Sequence, residues 1–291
     1  MSFKIHIMQF FNNILLKMNF SILLKKRAFK FINYIPKRVR IVAMTGAMSA
    51  AMLTSTFFPF SQTWQLFVLI LLLVAYLTTY IAVFEGIDGV EWIALFIMPI
   101  LFSIALYLFY SMLPVRWLTR LPFLVLFSLG YYGVLLTTNI FNIGVDRSLH
   151  LYRAAFSINF LFQSLVIFIF TMVILSFRLS FFINSFLLGL ICFILSFQLF
   201  WSVELPETVG KKFITFCLVL SVPLTEFALL LSFIPMSINI AALAFTAGYY
   251  ALSGIIYNYI AERLFPNVIR EHVSVFVFVI VIVLLTIFSG K

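Results

Sequence analysis

Charge is scarce in this chain: 10% of its 291 residues are Asp, Glu, Lys or Arg, and only nine are acidic. A soluble domain of this size needs far more polar surface to cover its exterior, so the deficit excludes a water-soluble globule. Cysteine is equally thin. Cys192 and Cys217 lack Cys-x-x-Cys spacing and both fall in apolar runs, which excludes a disulfide framework and a structural zinc site. The three histidines, His6, His150 and His272, form no pair at helical spacing for a metal. Gly-x-Ser-x-Gly, Walker and His-Glu-x-x-His patterns are missing, which disfavours the familiar hydrolase and nucleotide-motor chemistries. Long polar connections are missing too. The longest after residue 40, residues 142–153 and 262–272, hold about a dozen residues each, too few for a domain with its own core.

What the chain has in abundance is hydrocarbon: 64% of its residues are hydrophobic and 38 are Phe. Crossing about 30 Å of lipid takes roughly 20 apolar residues in a helix. Charged or proline-bearing breaks delimit nine such runs, near 41–58, 64–84, 93–113, 123–141, 154–177, 181–203, 213–234, 240–261 and 273–289. The runs are continuous rather than alternating, and a helix satisfies its own backbone in lipid, so helices are expected rather than a barrel. The fold class read from the sequence is all-α, a polytopic transmembrane helical bundle of about nine spans over residues 41–291. The first span, IVAMTGAMSAAMLTSTFF, is the weakest, being rich in small and hydroxyl residues. Its Ala43, Ala47 and Ala51, like Ala244, Ala247, Gly248, Ala251 and Gly254 on the eighth, follow a small-x-x-x-small rule that predicts close packing inside the bundle.

Residues 1–40 read differently. Ile7, Phe10, Phe11, Ile14, Leu15, Met18 and Ile22 recur at helical spacing, while Asn12, Asn13, Lys17, Lys25 and Lys26 interrupt any run long enough to span. This is the pattern of a basic amphipathic arm lying on anionic lipid headgroups rather than binding nucleic acid. Nine of the 19 Lys and Arg residues sit in this arm with no acid among them. An excess of Lys and Arg marks the cytoplasmic side, which puts the N-terminus inside. With nine spans, Arg147, Arg153, Lys211, Lys212, Arg263 and Arg270 join it there, against Arg116, Arg120, Arg178 and Lys291 outside. The expectation is a multi-pass protein of the cytoplasmic membrane with its C-terminus outside.

Candidate functional residues follow from the few polar groups. Glu226 is the one charged residue in the middle of a predicted span, three positions after Pro223. An acid at that depth costs about 3 kcal/mol on insertion scales, so it is expected to face a cavity, a partner or a proton path. The alternative is a hydrogen bond to a neighbouring helix through Asn159, Gln163, Asn184 or Gln198. Pro223 is expected to open a local break. Asp146, Arg147, His150 and Arg153 crowd one short connection. They read as a polar lip for a lipid headgroup or partner, or as a helix start with Arg153 reaching to phosphates. Glu85, Asp88 and Glu91 stand three residues apart in FEGIDGVEWI, and Glu204, Glu207, Lys211 and Lys212 in VELPETVGKK. On the nine-span topology both clusters are cytoplasmic. Carboxylates at Glu85, Asp88, Glu204 and Glu207 would suit Mg²⁺ shared with a diphosphate, with Lys211 meeting phosphate charge. The simpler reading of the first cluster is a short wet turn, loosened by Gly86 and Gly89 and anchored by Trp92.

The placement of these acids resembles the intramembrane prenyltransferases of the ubiquinone-biosynthesis type, nine-helix proteins with acidic motifs after helices two and six. Glu85 and Asp88 match the spacing of that family's first two acids, with Glu85 in place of Asp, Phe84 in place of Asn, and Glu91 one residue early. Glu204, Glu207, Gly210 and Lys211 resemble its second motif with Glu throughout; the basic residue after the first motif is absent from EWIALFIMP. That resemblance implies a Mg-dependent polyprenyl-diphosphate transferase. The strings EGIDGVEW, MLPVRWLTRLP and TNIFNIGVDRSLHLYRAA look like an uncharacterised family of bacterial polytopic membrane proteins, mostly from ultra-small bacteria. That likeness implies a bacterial cytoplasmic membrane and no particular activity. The function expected first is non-enzymatic and cofactor-free: a subunit of a membrane complex with a membrane-protein partner, or a protein that organises lipid. A prenyl transferase and a small-solute or proton-coupled transporter using Glu226 are the alternatives.

Overall fold

The computed structural model describes residues 36–83, 90–114, 116–144, 150–205 and 209–289. The amphipathic arm expected over residues 1–40 lies almost wholly outside them. The described residues form nine helices and no strand: α1 Lys37–Ser55, α2 Phe60–Val83, α3 Glu91–Tyr110, α4 Trp117–Ile143, α5 His150–Ser176, α6 Phe181–Glu204, α7 Lys211–Ser232, α8 Ile238–Ile260 and α9 Pro266–Phe288. Eight of these, α2 to α9, are long and apolar enough to cross a membrane. The protein is an all-α polytopic bundle.

Local chemistry sets the helix ends. Pro36 precedes α1 and Pro266 opens α9, where a missing N–H costs nothing because the first turn has no acceptor for it. Leu205 and Gly144 adopt positive φ just past α6 and α4, ending both with a left-handed residue. The largest departures from the predicted spans are at α4 and α9, which begin at Trp117 and Pro266 rather than near 123 and 273. Arg120, Arg270 and Glu271 lie in their first two turns, and a search for apolar runs stops at such residues. The helix does not stop, because long charged side chains reach back toward the headgroups. Pro223 does not break α7, which runs unbroken from Lys211 to Ser232.

α1 is the exception to the spanning rule, with Lys37, Arg38 and Arg40 in its first turn. It nevertheless lies along the bundle. Ile41, Met48 and Met52 are buried, Ser49 Oγ meets Ser128 Oγ of α4 at 2.8 Å, and Arg120 of α4 donates to the Thr56 carbonyl just past the end of α1. These contacts run α1 antiparallel to α4. The internal packing expected of the first small-residue ridge is found only at its end: Ala43 and Ala47 are exposed, while Ala51 is half-buried against the core. The larger Ile41, Met48 and Met52 take the inner face, since they fill more of the groove with dispersion contacts than alanine does. The second ridge does point inward. Ala244, Ala247, Gly248, Ala251 and Gly254 of α8 are all buried, and a Cβ on Gly254 would lie 2.1 Å from the His272 ring of α9.

A polar quartet stitches the centre. Asn159 Nδ2 of α5 donates to Gln198 Oε1 of α6 at 3.1 Å, Gln163 Nε2 donates to the same oxygen, and Tyr249 of α8 donates to Gln163 Oε1 at 3.0 Å. All four side chains are buried. Interhelical bonds of this kind contribute about 0.6 kcal/mol each in lipid, and they fix which helix faces meet. Coverage then falls outward: 61% of the apolar window of α6 and of α8 is buried, against 28% for α7 and 6% for α9. Asn142 Nδ2 donates to the Val83 carbonyl, joining the ends of α2 and α4. Those ends, with the start of α1, the start of α5 and the end of α8, define the arm end of the bundle.

Candidate functional site

At the arm end, the first turns of α5 and the last of α8 enclose an open hollow of about 600 Å³. Tyr152, Arg153, Phe156 and Ser157 line it from α5, at the i, i+1, i+4, i+5 spacing that puts side chains on one face of a helix. Tyr257, Ile260 and the following Ala261, Glu262 and Arg263 supply the other wall, and Val203 of α6 the back. The floor is aromatic. The rings of Phe156 and Tyr257 stack at 3.8 Å between centroids, and buried Tyr152 donates its hydroxyl to the Ser202 carbonyl, tying α5 to the last turn of α6.

The α8–α9 connection aims the charged groups. Asn258 Nδ2 donates to the Gly254 carbonyl, the Arg263 amide closes back onto the Asn258 carbonyl at 2.9 Å, and Glu262 takes φ 56° to make that turn. A non-glycine residue in the left-handed region is strained by about 1 kcal/mol or more, and such strain persists where surrounding bonds over-determine it. Arg153 from α5 and Arg263 from the connection after α8 line facing walls of the hollow. Neither arginine side chain has a hydrogen-bond or ion-pair partner among the described residues. Beside this hollow lies a second, of about 390 Å³, lined by Lys212, Phe216, Tyr259, Ile260, Glu262 and Leu264. The Lys212 ammonium sits 5.8 Å from the Phe216 ring centroid. Among the described residues the two hollows gather three cations, Arg153, Arg263 and Lys212, and one acid, Glu262. A cleft of about 510 Å³ between α3, α4 and α5 differs in kind: its lining, which includes Phe102, Phe127 and Phe162, is wholly apolar and offers nothing to orient a ligand.

The other sequence candidates are placed as follows. His150 and Arg153 open α5, both exposed, and Arg153 reaches the hollow; Asp146 and Arg147 lie outside the described residues. Glu85, Asp88 and Glu207 also lie outside them, as does the side chain of Glu204, the last residue of α6. Glu91 opens α3 half-buried, and Lys211 opens α7 exposed. Val90, just after the first acidic connection, and Leu205 and Phe213, which flank the second, pack on one buried cluster around Trp201. Among the described residues no group of three His, Cys, Asp or Glu side chains could hold a metal ion. Glu226 lies on the outer face of α7, and neither polar hollow includes it.

Sequence reasoning missed Arg263, Glu262 and Tyr257 as site residues, and it had offered Lys212 only beside the second acidic cluster. One signal was available: counting Lys and Arg had assigned Arg153, Lys212 and Arg263 to the same face. No protein-family model, curated protein or solved structure matches the chain.

Proposed function

We propose that this multi-pass membrane protein is a non-enzymatic, lipid-organising protein that holds the phosphate of an anionic lipid between Arg153 and Arg263 in the arm-end hollow. The observation that carries this reading is the pair of arginines that line one open hollow at the start of α5 and the end of α8, with no hydrogen-bond or ion-pair partner among the described residues. Guanidinium groups match phosphate oxygens with paired donors, and each charge-assisted bond contributes about 1.5–3 kcal/mol. Phe156, Tyr257 and Ile260 give the upper acyl chain an apolar wall. Lys212 extends the positive rim sideways. On the reading of the Lys and Arg excess this end faces the cytoplasm, where anionic lipid is attracted to basic surfaces, and the nine Lys and Arg of residues 1–40 would add to that attraction.

The test is compositional. Protein extracted from its membrane in mild detergent is stripped of bulk lipid, and the retained lipid is quantified by mass spectrometry. Enrichment of anionic over zwitterionic lipid is expected; retention in the proportions of the bulk membrane would contradict the reading.

A second reading has its own observation. Val90, Leu205 and Phe213 share the Trp201 cluster, so the two acidic connections join the bundle at one place, as a Mg-dependent polyprenyl-diphosphate transferase requires. On that reading Mg²⁺ and a polyprenyl diphosphate raise the melting temperature together, and Asp88→Asn abolishes the shift. No shift in the unsubstituted protein removes it.

A further inference from the structure

Glu226 is a charged group singled out in the sequence that the arm-end site does not use, and its direction is fixed by its neighbour. Thr225 is pressed against α6, where a Cβ on Gly189 would fall 2.0 Å from Thr225 Oγ1, and its hydroxyl donates to the Ser221 carbonyl. That close approach locks the rotation of α7. Glu226, about 100° further round the helix, is turned away from the bundle. It stands 15 residues past Lys211, roughly 22 Å along the axis, and so within the hydrocarbon if Lys211 and Lys212 mark the headgroups. The helix is unbroken there, and Glu226 has no hydrogen bond or ion pair to any described residue.

A carboxyl exposed to hydrocarbon carries a penalty of several kcal/mol unless something meets it. Among the described residues no counter-charge lies at that depth. Every described Lys and Arg lies in a connection or in the first two turns of a helix. What a carboxyl at that depth can meet is another like itself: as the neutral acid it both donates and accepts, so two face to face satisfy each other with two hydrogen bonds. That geometry is self-complementary and needs a two-fold axis. The rest of the face suits close approach, because Val219, Val222, Pro223 and Leu230 form an exposed apolar ridge in register with Glu226 at i−7, i−4, i−3 and i+4.

We propose that this face of α7 is the docking surface for a second copy of the chain, with the two Glu226 carboxyls paired across the axis. The inference is independent of the headgroup site, which lies at the arm end and needs no partner chain.

Single cysteines test it in the full-length protein in liposomes, helped by the burial of both native cysteines, Cys192 and Cys217. Under copper-catalysed oxidation Val222→Cys is expected to give a disulfide-linked homodimer. Phe278→Cys on α9 and Ala47→Cys on the exposed ridge of α1 are expected to stay monomeric. In the Val222→Cys background Glu226→Leu is expected to cut the yield at least tenfold, while Glu226→Gln, whose amide also donates and accepts, retains it. Absence of cross-linking at Val222, equal yields at all three positions, or dimers unaffected by Glu226→Leu would overturn the proposal. So would a disulfide from Val222→Cys to a different protein in native membranes. Should Glu226→Leu fail to fold, the three cysteine variants with Glu226 intact decide alone.

Discussion

Arg120 stands at one end of the bundle and Arg153 with Arg263 at the other. The same side chain is committed at the first place and available at the second. Arg120 is half-buried. Its Nε donates to the Tyr110 hydroxyl at 3.2 Å, its Nη2 to the Thr56 carbonyl at 3.0 Å, and its guanidinium lies 4.7 Å from the Phe57 ring centroid and 5.3 Å from that of Trp117. It pins the end of α1 and the end of α3 to the start of α4. Arg153 and Arg263 are exposed and flank an open hollow without an acceptor among the described residues. An arginine whose donors are used by its own chain holds structure; a pair whose donors are unused around one cavity is set for a ligand that brings acceptors.

The comparison breaks most visibly if the two arginines are removed together. Arg153→Ala with Arg263→Ala is expected to lower the affinity for anionic lipid by roughly 100-fold, about 2.7 kcal/mol, with little change in thermal stability. Titration of nanodisc-embedded protein with a fluorescent anionic lipid reads the first quantity and a melting scan the second. Arg120→Ala is expected to do the reverse. It strands the Tyr110 hydroxyl and the Thr56 carbonyl, lowering stability by about 1–3 kcal/mol, and leaves lipid affinity unchanged. Glu262→Gln sharpens the contrast in the other direction. Neutralising the acid that lines both hollows is expected to tighten anionic-lipid binding about threefold, roughly 0.65 kcal/mol. The smallest effect is that of salt. Raising ionic strength from 0.1 to 0.5 M screens the exposed arginines, and lipid affinity is expected to fall about twofold while the unfolding midpoint stays nearly fixed.

Much of the fold was legible because membrane spans announce themselves by length and hydropathy, which do not depend on what the helices touch. The starts of α4 and α9 were not, since charged first turns look like loops to any search for apolar runs. Faces were harder still. The ridge of Ala43 and Ala47 was expected inside, yet Met48 and Met52 took that position because packing rewards volume. Asn159, Gln163 and Gln198 were each offered to Glu226 as partners; they bond one another, together with Tyr249, and leave the acid outside. Its depth could be read from the sequence. Its direction could not, because it hangs on the close approach of Thr225 to Gly189. Half of the candidate site was legible in the same sense. Arg153 belonged to a polar lip visible in one connection, whereas Arg263 joins it only through the packing of α8 against α5.

The most direct test of the headgroup site is photo-crosslinking with an anionic phospholipid whose headgroup carries a diazirine, in nanodiscs, followed by peptide mapping. Labelling is expected within residues 152–157 and 257–263, and it should be lost in the Arg153→Ala, Arg263→Ala protein. Labelling confined to residues 1–40, or retained in full by the double variant, would contradict the account.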